Sequence, residues 1–422
     1  MVTRFRVCTT AACLAVVALA AAGLWLLASR PRRATSDWPQ WRGPGRDGIS
    51  PDVPVQLPEK KLLWQRPLAS ENPAGIAVAG GFVVVACHVN GEDQVRCYKA
   101  EDGDLVWTYS TKNAAEIQNG RGPRATPLIH EGRVYSLSAV GECCCLDLAK
   151  GTVIWNLSLP KEFKAPVPSY GHCGSLLIAD HKLIVSPTSA AAAIAALDPA
   201  TGKVLWQTKG AEPPKGSSQP PGQPHSSYIV GTFGEVVQIA GYDGPELAGW
   251  ELATGKKLWS VRPESNGDFN VGTPVNVDGK LLVATDNNFT RLYGFEKGGK
   301  IVAKPEALNE ELAPGMATPV CHKGLIFGSG DDFLCLDPKT LKTLWVNSKE
   351  PAVMGFTMVI AGNERILVLN EEGDLALVAA KADKCELLGK MKVCEKTWSH
   401  PALADGKLYV RDKKALYCYS LK

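Results

Sequence analysis

From about residue 61 onward the chain alternates short apolar runs with tight polar turns. Leu128-Ile129 is followed by the turn His130-Glu131-Gly132 and then by Val134-Tyr135. The same figure returns in Pro274-Val275 with Asp278-Gly279 and Leu281-Leu282-Val283, and again in Pro319-Val320 with Lys323-Gly324 and Leu325-Ile326-Phe327. Asp-Gly and Lys-Gly supply the positive-φ residues that tight hairpins need, so each figure predicts two antiparallel strands. Runs such as Val83-Val84-Val85-Ala86 are apolar at successive positions and therefore on both strand faces, as expected of sheets sandwiched between neighbours.

A longer period organises these hairpins. Ile194 to Trp206 reads as a strand, the turn Asp198-Pro199-Ala200-Thr201-Gly202, and a second strand ending in Trp. Matching copies end at Trp107, Trp155, Trp259 and Trp345, each Trp eight residues after the slot that holds Asp147, Asp198 and Asp337 in the clearest three. Two degenerate copies align near Val302 and Leu388, and Trp64 begins the series. Four strands per ~45 residues is a propeller blade, and the strand pattern excludes a helical solenoid. The chain ends on a third strand (Leu416 to Lys422) that lacks its fourth, while Lys61-Leu62-Leu63-Trp64 at the other end is a fourth strand without a blade. Pairing the two closes the ring and hides its sheet edges. The expectation is an all-β, eight-bladed propeller over residues 60–422, with a signal anchor at 1–28 and a linker and lead-in at 29–59.

Composition changes the picture only at the N-terminus. The 422 residues are 45% hydrophobic and 21% charged, an ordinary folded chain of net charge +3. Five arginines and no acid fall within residues 1–33, so the rest holds 41 bases against 43 acids. A near-neutral body excludes an electrostatic footprint for nucleic acid. Val7 to Ala28 is uncharged, mostly apolar and long enough to span a bilayer, which reads as an export anchor. Ala20-Ala21-Ala22 offers a signal-peptide exit, so a cleaved signal is the alternative. Of 13 cysteines, Cys97, Cys145, Cys335 and Cys418 share one strand position, which favours buried packing over bridges. In the run Cys143-Cys144-Cys145, alternation puts the outer two on one face and Cys144 on the other.

The copies ending at Trp155, Trp206 and Trp345 resemble the PQQ-like propeller family, as does the opening Asp37-Trp38-Pro39-Gln40-Trp41-Arg42-Gly43-Pro44. Lys150 and Leu341 depart from the pattern, standing where Thr and Gly are expected. The resemblance implies two branches. Quinoprotein alcohol dehydrogenases hold PQQ and Ca²⁺ over the channel, with a disulfide between adjacent cysteines beside the PQQ ring. Propellers similar to the barrel-assembly subunit BamB are not enzymes and bind protein partners.

The residues just before each first strand enter beside the central channel and converge from different blades on one mouth. They are Arg121 and Arg124, Tyr170 and His172, His225, Asp268 and Asn270, Met316, Phe356, Trp398 and His400. Such a set suits an anionic planar ligand or a peptide. The repeat Trp residues read as wedges between blades and the three Asp residues as turn acceptors, not catalytic groups. Trp38 and Trp41 read as a clasp on the outside of the ring. The functional expectation is a monomeric propeller tethered to the cell-envelope membrane, binding protein partners without catalysis, cofactor or metal. The alternatives are a PQQ- and Ca²⁺-dependent oxidoreductase and a sugar- or small-molecule-binding module.

Overall fold

The computed structural model describes residues 36–70, 74–113, 115–211, 224–265 and 270–422, and from Ser36 these form one compact unit. The expected anchor (1–28), most of the Pro-rich loop at 213–224 and Asp268 lie outside the described residues. Among the described residues no helix is long and apolar enough to cross a membrane.

The strands assemble into eight four-stranded antiparallel sheets, each with its strands in chain order. Blades one to seven span 76–112, 128–158, 177–208, 229–261, 275–309, 320–347 and 357–392. Blade eight joins Ala402–Ala404, Lys407–Arg411 and Ala415–Ser420 to Lys61–Pro67, with Trp64 opposite Cys418. Chain tail and chain head therefore complete one sheet. The first hairpins turn through paired positive φ angles, as at Asp278 (49°) and Gly279 (81°).

The Asp-to-Trp motif does two jobs. Asp147, Asp198 and Asp337 each accept two backbone N–H groups of their own turn at 2.7–3.0 Å. The Trp of each copy then lies on the turn of the following blade. Trp107 donates its Nε1–H to Leu148 O (2.8 Å), Trp155 to Pro199 O (3.0 Å) and Trp345 to Lys381 O (2.9 Å). The rings press on the turn glycines: a Cβ on Gly151 would sit 2.5 Å from Trp107, and one on Gly202 would sit 2.8 Å from Trp155. Glycine is required there twice, by φ of 67–72° and by the neighbouring ring.

Two seams use other residues, and here the alignment shifts. In blade five the position opposite Leu292 that corresponds to Trp is Ala307, not Val302, and in blade seven it is Gly389, not Leu388. Ala307 packs in one cluster with Leu341, the fully buried residue that replaces glycine in the next blade's turn. Leu57 of the lead-in approaches Gly389. Where the ring is missing, an aliphatic side chain fills the space.

Among the described residues the cysteines are buried or half-buried and free. Cys143 and Cys145 pack toward blade three and Cys144 toward blade one. The alanine-rich run 189–196 contributes a strand only from Ile194, the preceding residues forming a turn closed by Ser189 and Ala192.

The lead-in departs most from expectation. Trp38 (2% exposed) and Trp41 (7%) do not clasp the outside of the ring. Residues 36–52 instead cross its inner end. Trp38 bridges to Val78, Pro39 O accepts from Ile129, Ile49 bridges to Ala361, and Ser36 O accepts from Asp405. Arg42 donates to Thr318 O and Pro319 O at 2.9 Å, and Arg46 donates to Leu176 O (2.8 Å), Ser175 O (3.2 Å) and Tyr228 O (3.1 Å). Innermost strands, or the residues flanking them, are thus tied in blades one to four and six to eight. Neither guanidinium forms an ion pair among the described residues. Burial pushes the Arg42 pKa down to about 10. Burial and then Arg42 beside it push that of Arg46 down to about 9.

Candidate functional site

Antiparallel blades place the starts of all first strands at one mouth of the ring, and there the structure has a cup of about 560 Å³. The seams around it are sealed by a belt of hydroxyls. The backbone N–H of Thr126 donates to Ser175 Oγ, that of Ser175 to Ser227 Oγ, that of Ser227 to Thr273 Oγ1 and that of Thr273 to Thr318 Oγ1, all at 3.0–3.1 Å. Each bond joins one blade to the next. By strand register the same slot holds Met358 in blade seven, His400 in blade eight and Gly75 in blade one. The belt has no hydroxyl at those three positions.

Of the residues expected at this mouth, Arg124, Tyr170, His225, Met316, Phe356, Trp398 and His400 line the cup. Three others do not. Arg121 turns away to an exposed ion pair with Glu116 (2.5 Å) and borders a separate shallow pocket with His88. His172 is 2% exposed and tucked beneath Gly141, where a Cβ would sit 2.9 Å from its Nε2. The Nδ2 of Asn270 donates to Gly244 O, while its backbone carbonyl accepts from the His225 N–H. Sequence reasoning missed Trp41, Cys173, Asp412 and Lys413, which also line the cup. The repeated Thr-Pro at 126, 273 and 318 was a legible signal for the belt.

Trp41 brings the lead-in to the cup. Its ring contacts His400 edge-on at 5.5 Å, with the Arg42 and Arg46 guanidinia also 5.5 Å from the ring centroid. Tyr170 meets His225 edge-on at 5.3 Å. Trp398, 39% exposed, donates its Nε1–H to Glu371 (3.0 Å) and stands against Phe356. Burial holds the histidines neutral, with His225 pushed down to about 4. His400 falls to about 3 under burial and the nearby Arg42 charge.

PQQ with Ca²⁺ calls for carboxylate oxygens left open to the metal. Among the described residues the acid lining the cup is Asp412, and both its oxygens are engaged. One accepts from the Lys414 and Ala415 N–H groups, the other from the Glu395 N–H and the Tyr417 hydroxyl. Among the described residues no group of His, Cys, Asp and Glu is placed to hold a metal ion. Cys173 lines the cup without an adjacent cysteine, while Cys143 to Cys145 lie within the blade-two strand Glu142–Asp147. The described residues do not fit PQQ held by Ca²⁺.

An eight-membered ring of four-stranded sheets, with tryptophans docked on neighbouring turns and a cup over its axis, defines a PQQ-repeat propeller. The family model described as outer membrane protein assembly factor BamB matches residues 55–219, 110–347 and 190–422, and the chain belongs to that family. It is 26% identical over 308 residues to a quinohemoprotein alcohol dehydrogenase of Comamonas testosteroni, covering 66% of this chain and 41% of that protein. It is 23% identical over 266 residues to the BamB of Burkholderia pseudomallei, covering 61% of this chain and 63% of that one. The chain thus spans less than two thirds of either relative. The crystal structure of the Comamonas testosteroni enzyme superposes with a TM-score of 0.66 at 15% identity, over 94% of this chain and 82% of that one. BamB from Moraxella catarrhalis gives 0.61 at 18% identity, over 86% and 98%. At such identities the likeness speaks for the fold.

Proposed function

We propose that this chain is a non-catalytic scaffold of the cell envelope, tethered through its N-terminal apolar segment, whose cup receives a segment of a partner protein. The observation that carries this reading is the chemistry of the cup. Aromatic and apolar side chains wall it, an exposed tryptophan is held in place at its rim, and the one acid lining it among the described residues is consumed by structural hydrogen bonds. Rigid aromatic anchors in a concave setting are what protein interfaces use as hot spots. A redox site would need a cofactor grip that these residues do not offer, and BamB relatives are named as assembly factors.

The test uses the full chain purified from membranes. After incubation with PQQ and CaCl₂, a dye-linked assay with primary alcohols is expected to give no turnover, and Trp398→Ala is expected to release a co-purifying envelope protein that the wild type retains. Turnover that depends on added PQQ refutes the scaffold reading.

A further inference from the structure

The charge around the cup is one-sided. Among the described residues its lining carries Arg124, Lys396 and Lys413 against Asp412, and the two Glu carboxylates within reach are already taken up by Lys396, at 3.1 Å to Glu371 and 3.3 Å to Glu372. Lys413 is exposed and has no ion pair among the described residues. Beneath Trp41 lie the Arg42 and Arg46 guanidinia, buried and bonded to carbonyls, so their charge is not cancelled by a contacting carboxylate. That field reaches the cup, since Arg42 is among the groups holding His400 neutral.

Arg124 adds geometry to the field. Its Nη2 is tied by three carbonyls of its own loop, Gln118 (3.0 Å), Asn119 (3.2 Å) and Gly120 (2.7 Å). Its Nη1 is buried and makes no hydrogen bond. The guanidinium as a whole is half-buried, lines the cup and has no ion pair among the described residues, so an arriving carboxylate meets an uncancelled charge there. Across the cup, Trp398, Phe356 and Met316 offer an apolar wall at the sector where the hydroxyl belt is interrupted.

We infer that the cup recognises an acidic peptide segment bearing an aromatic or large aliphatic residue, its carboxylate at Arg124 and Lys413 and its apolar side chain on Trp398 and Phe356. This rests on the partner-binding reading and narrows it to a chemistry. Asp412 cannot neutralise the site, because its oxygens already accept four hydrogen bonds. A basic or purely apolar segment would leave the cations of the cup desolvated and unpaired, at a cost.

The experiment pans a phage-displayed heptapeptide library on the immobilised full chain, then measures one enriched peptide by fluorescence polarisation. Enriched sequences are expected to pair Asp or Glu with an aromatic or large aliphatic residue. Replacing the acid of that peptide by its amide is expected to weaken binding about tenfold or more. Against the Lys413→Gln chain the same replacement should cost markedly less, because the partner of the charge is gone. Lys413 is exposed, so this variant does not endanger the fold, and changing the peptide avoids disturbing the loop held by Arg124. Enrichment of neutral or basic peptides, or equal binding of acid and amide forms, overturns this inference while leaving partner binding intact. No enrichment at all, or displacement of the peptide by PQQ only when Ca²⁺ is present, brings down the partner-binding reading with it.

Discussion

The seam between blades five and six offers the sharpest test of how the ring is held together. At four other seams a tryptophan (Trp64, Trp107, Trp155 or Trp206) lies on a glycine of the next blade, whereas here Ala307 packs in one cluster with Leu341. Leu341 is fully buried at φ 55°, so Leu341→Gly removes a packed side chain at about 2–5 kcal/mol. About 1 kcal/mol returns from the relieved left-handed strain. Ala307→Trp alone drives an indole into Leu341 and costs about 1–3 kcal/mol of overpacking. The double variant rebuilds the arrangement of the other seams, including an Nε1–H donor aimed at Pro338 O, the carbonyl after Asp337. Its cost should fall short of the two single costs added together by at least about 2 kcal/mol. Equilibrium urea unfolding, with coincident fluorescence and circular dichroism transitions, supplies the four free energies. Additivity within about 0.5 kcal/mol would mean that the seam is not an exchange of one filler for another, and the account of blade-to-blade docking would be wrong.

Other consequences follow from the same contacts. Gly151→Ala should destabilise by about 2–5 kcal/mol, since it meets both a positive φ and the Trp107 ring, whereas Gly132→Ala, at φ 72° with open space around it, should cost only about 1–2; equal costs in parallel urea titrations would remove the ring from the explanation. The native pKa values of His172 and His225 (about 4) and His400 (about 3) lie below the unfolded 6.5, so the unfolded chain binds the extra protons as pH falls through that window. Stability is therefore full above pH 6.5 and declines below it, by about 2 kcal/mol for each of these histidines at pH 5, and His172→Gln should reduce the loss between pH 7 and 5 by about 2 kcal/mol. Arg46→Met strands the carbonyls of Ser175, Leu176 and Tyr228 and should cost about 3–5 kcal/mol, read as a lower urea midpoint; an unchanged midpoint would show that the lead-in does not brace the ring.

The blades were legible because their signals are local. Asp198 and Gly202 are four positions apart, and the turn they build needs nothing from elsewhere in the chain. What Gly202 also needs, the ring of Trp155, comes from the preceding blade, and spacing alone does not say which neighbour a tryptophan leans on. The lead-in was misplaced for the same reason carried further: Arg42 finds its carbonyl 276 positions away, and no pattern around Arg42 encodes that partner. At the cup, reading the residues before each first strand gathered seven of its lining side chains. It failed at Arg121, His172 and Asn270, where the loop reverses or sinks within a few residues and the side chain is claimed by Glu116, the blade-two turn or Gly244.

Those failures bear on how the ring works. Lys61–Pro67 closes the circle through one hydrogen-bonded ladder at its rim, while the lead-in ties the innermost strands together near the axis. The two closures resist different motions. The rim strand prevents the ring from opening at blade eight, and the arginine ties oppose the splaying of blades three, four and six from the centre. Ser36 sits beside the Asp405 turn, at the end of the ring opposite the cup. The residues that brace the axis also set Trp41 at the base of the cup. Loss of the lead-in would therefore remove both the brace and the base of the cup, so partner affinity and ring stability should fall together in variants of Arg42 and Arg46. Variants of Trp398 at the rim should lower affinity alone.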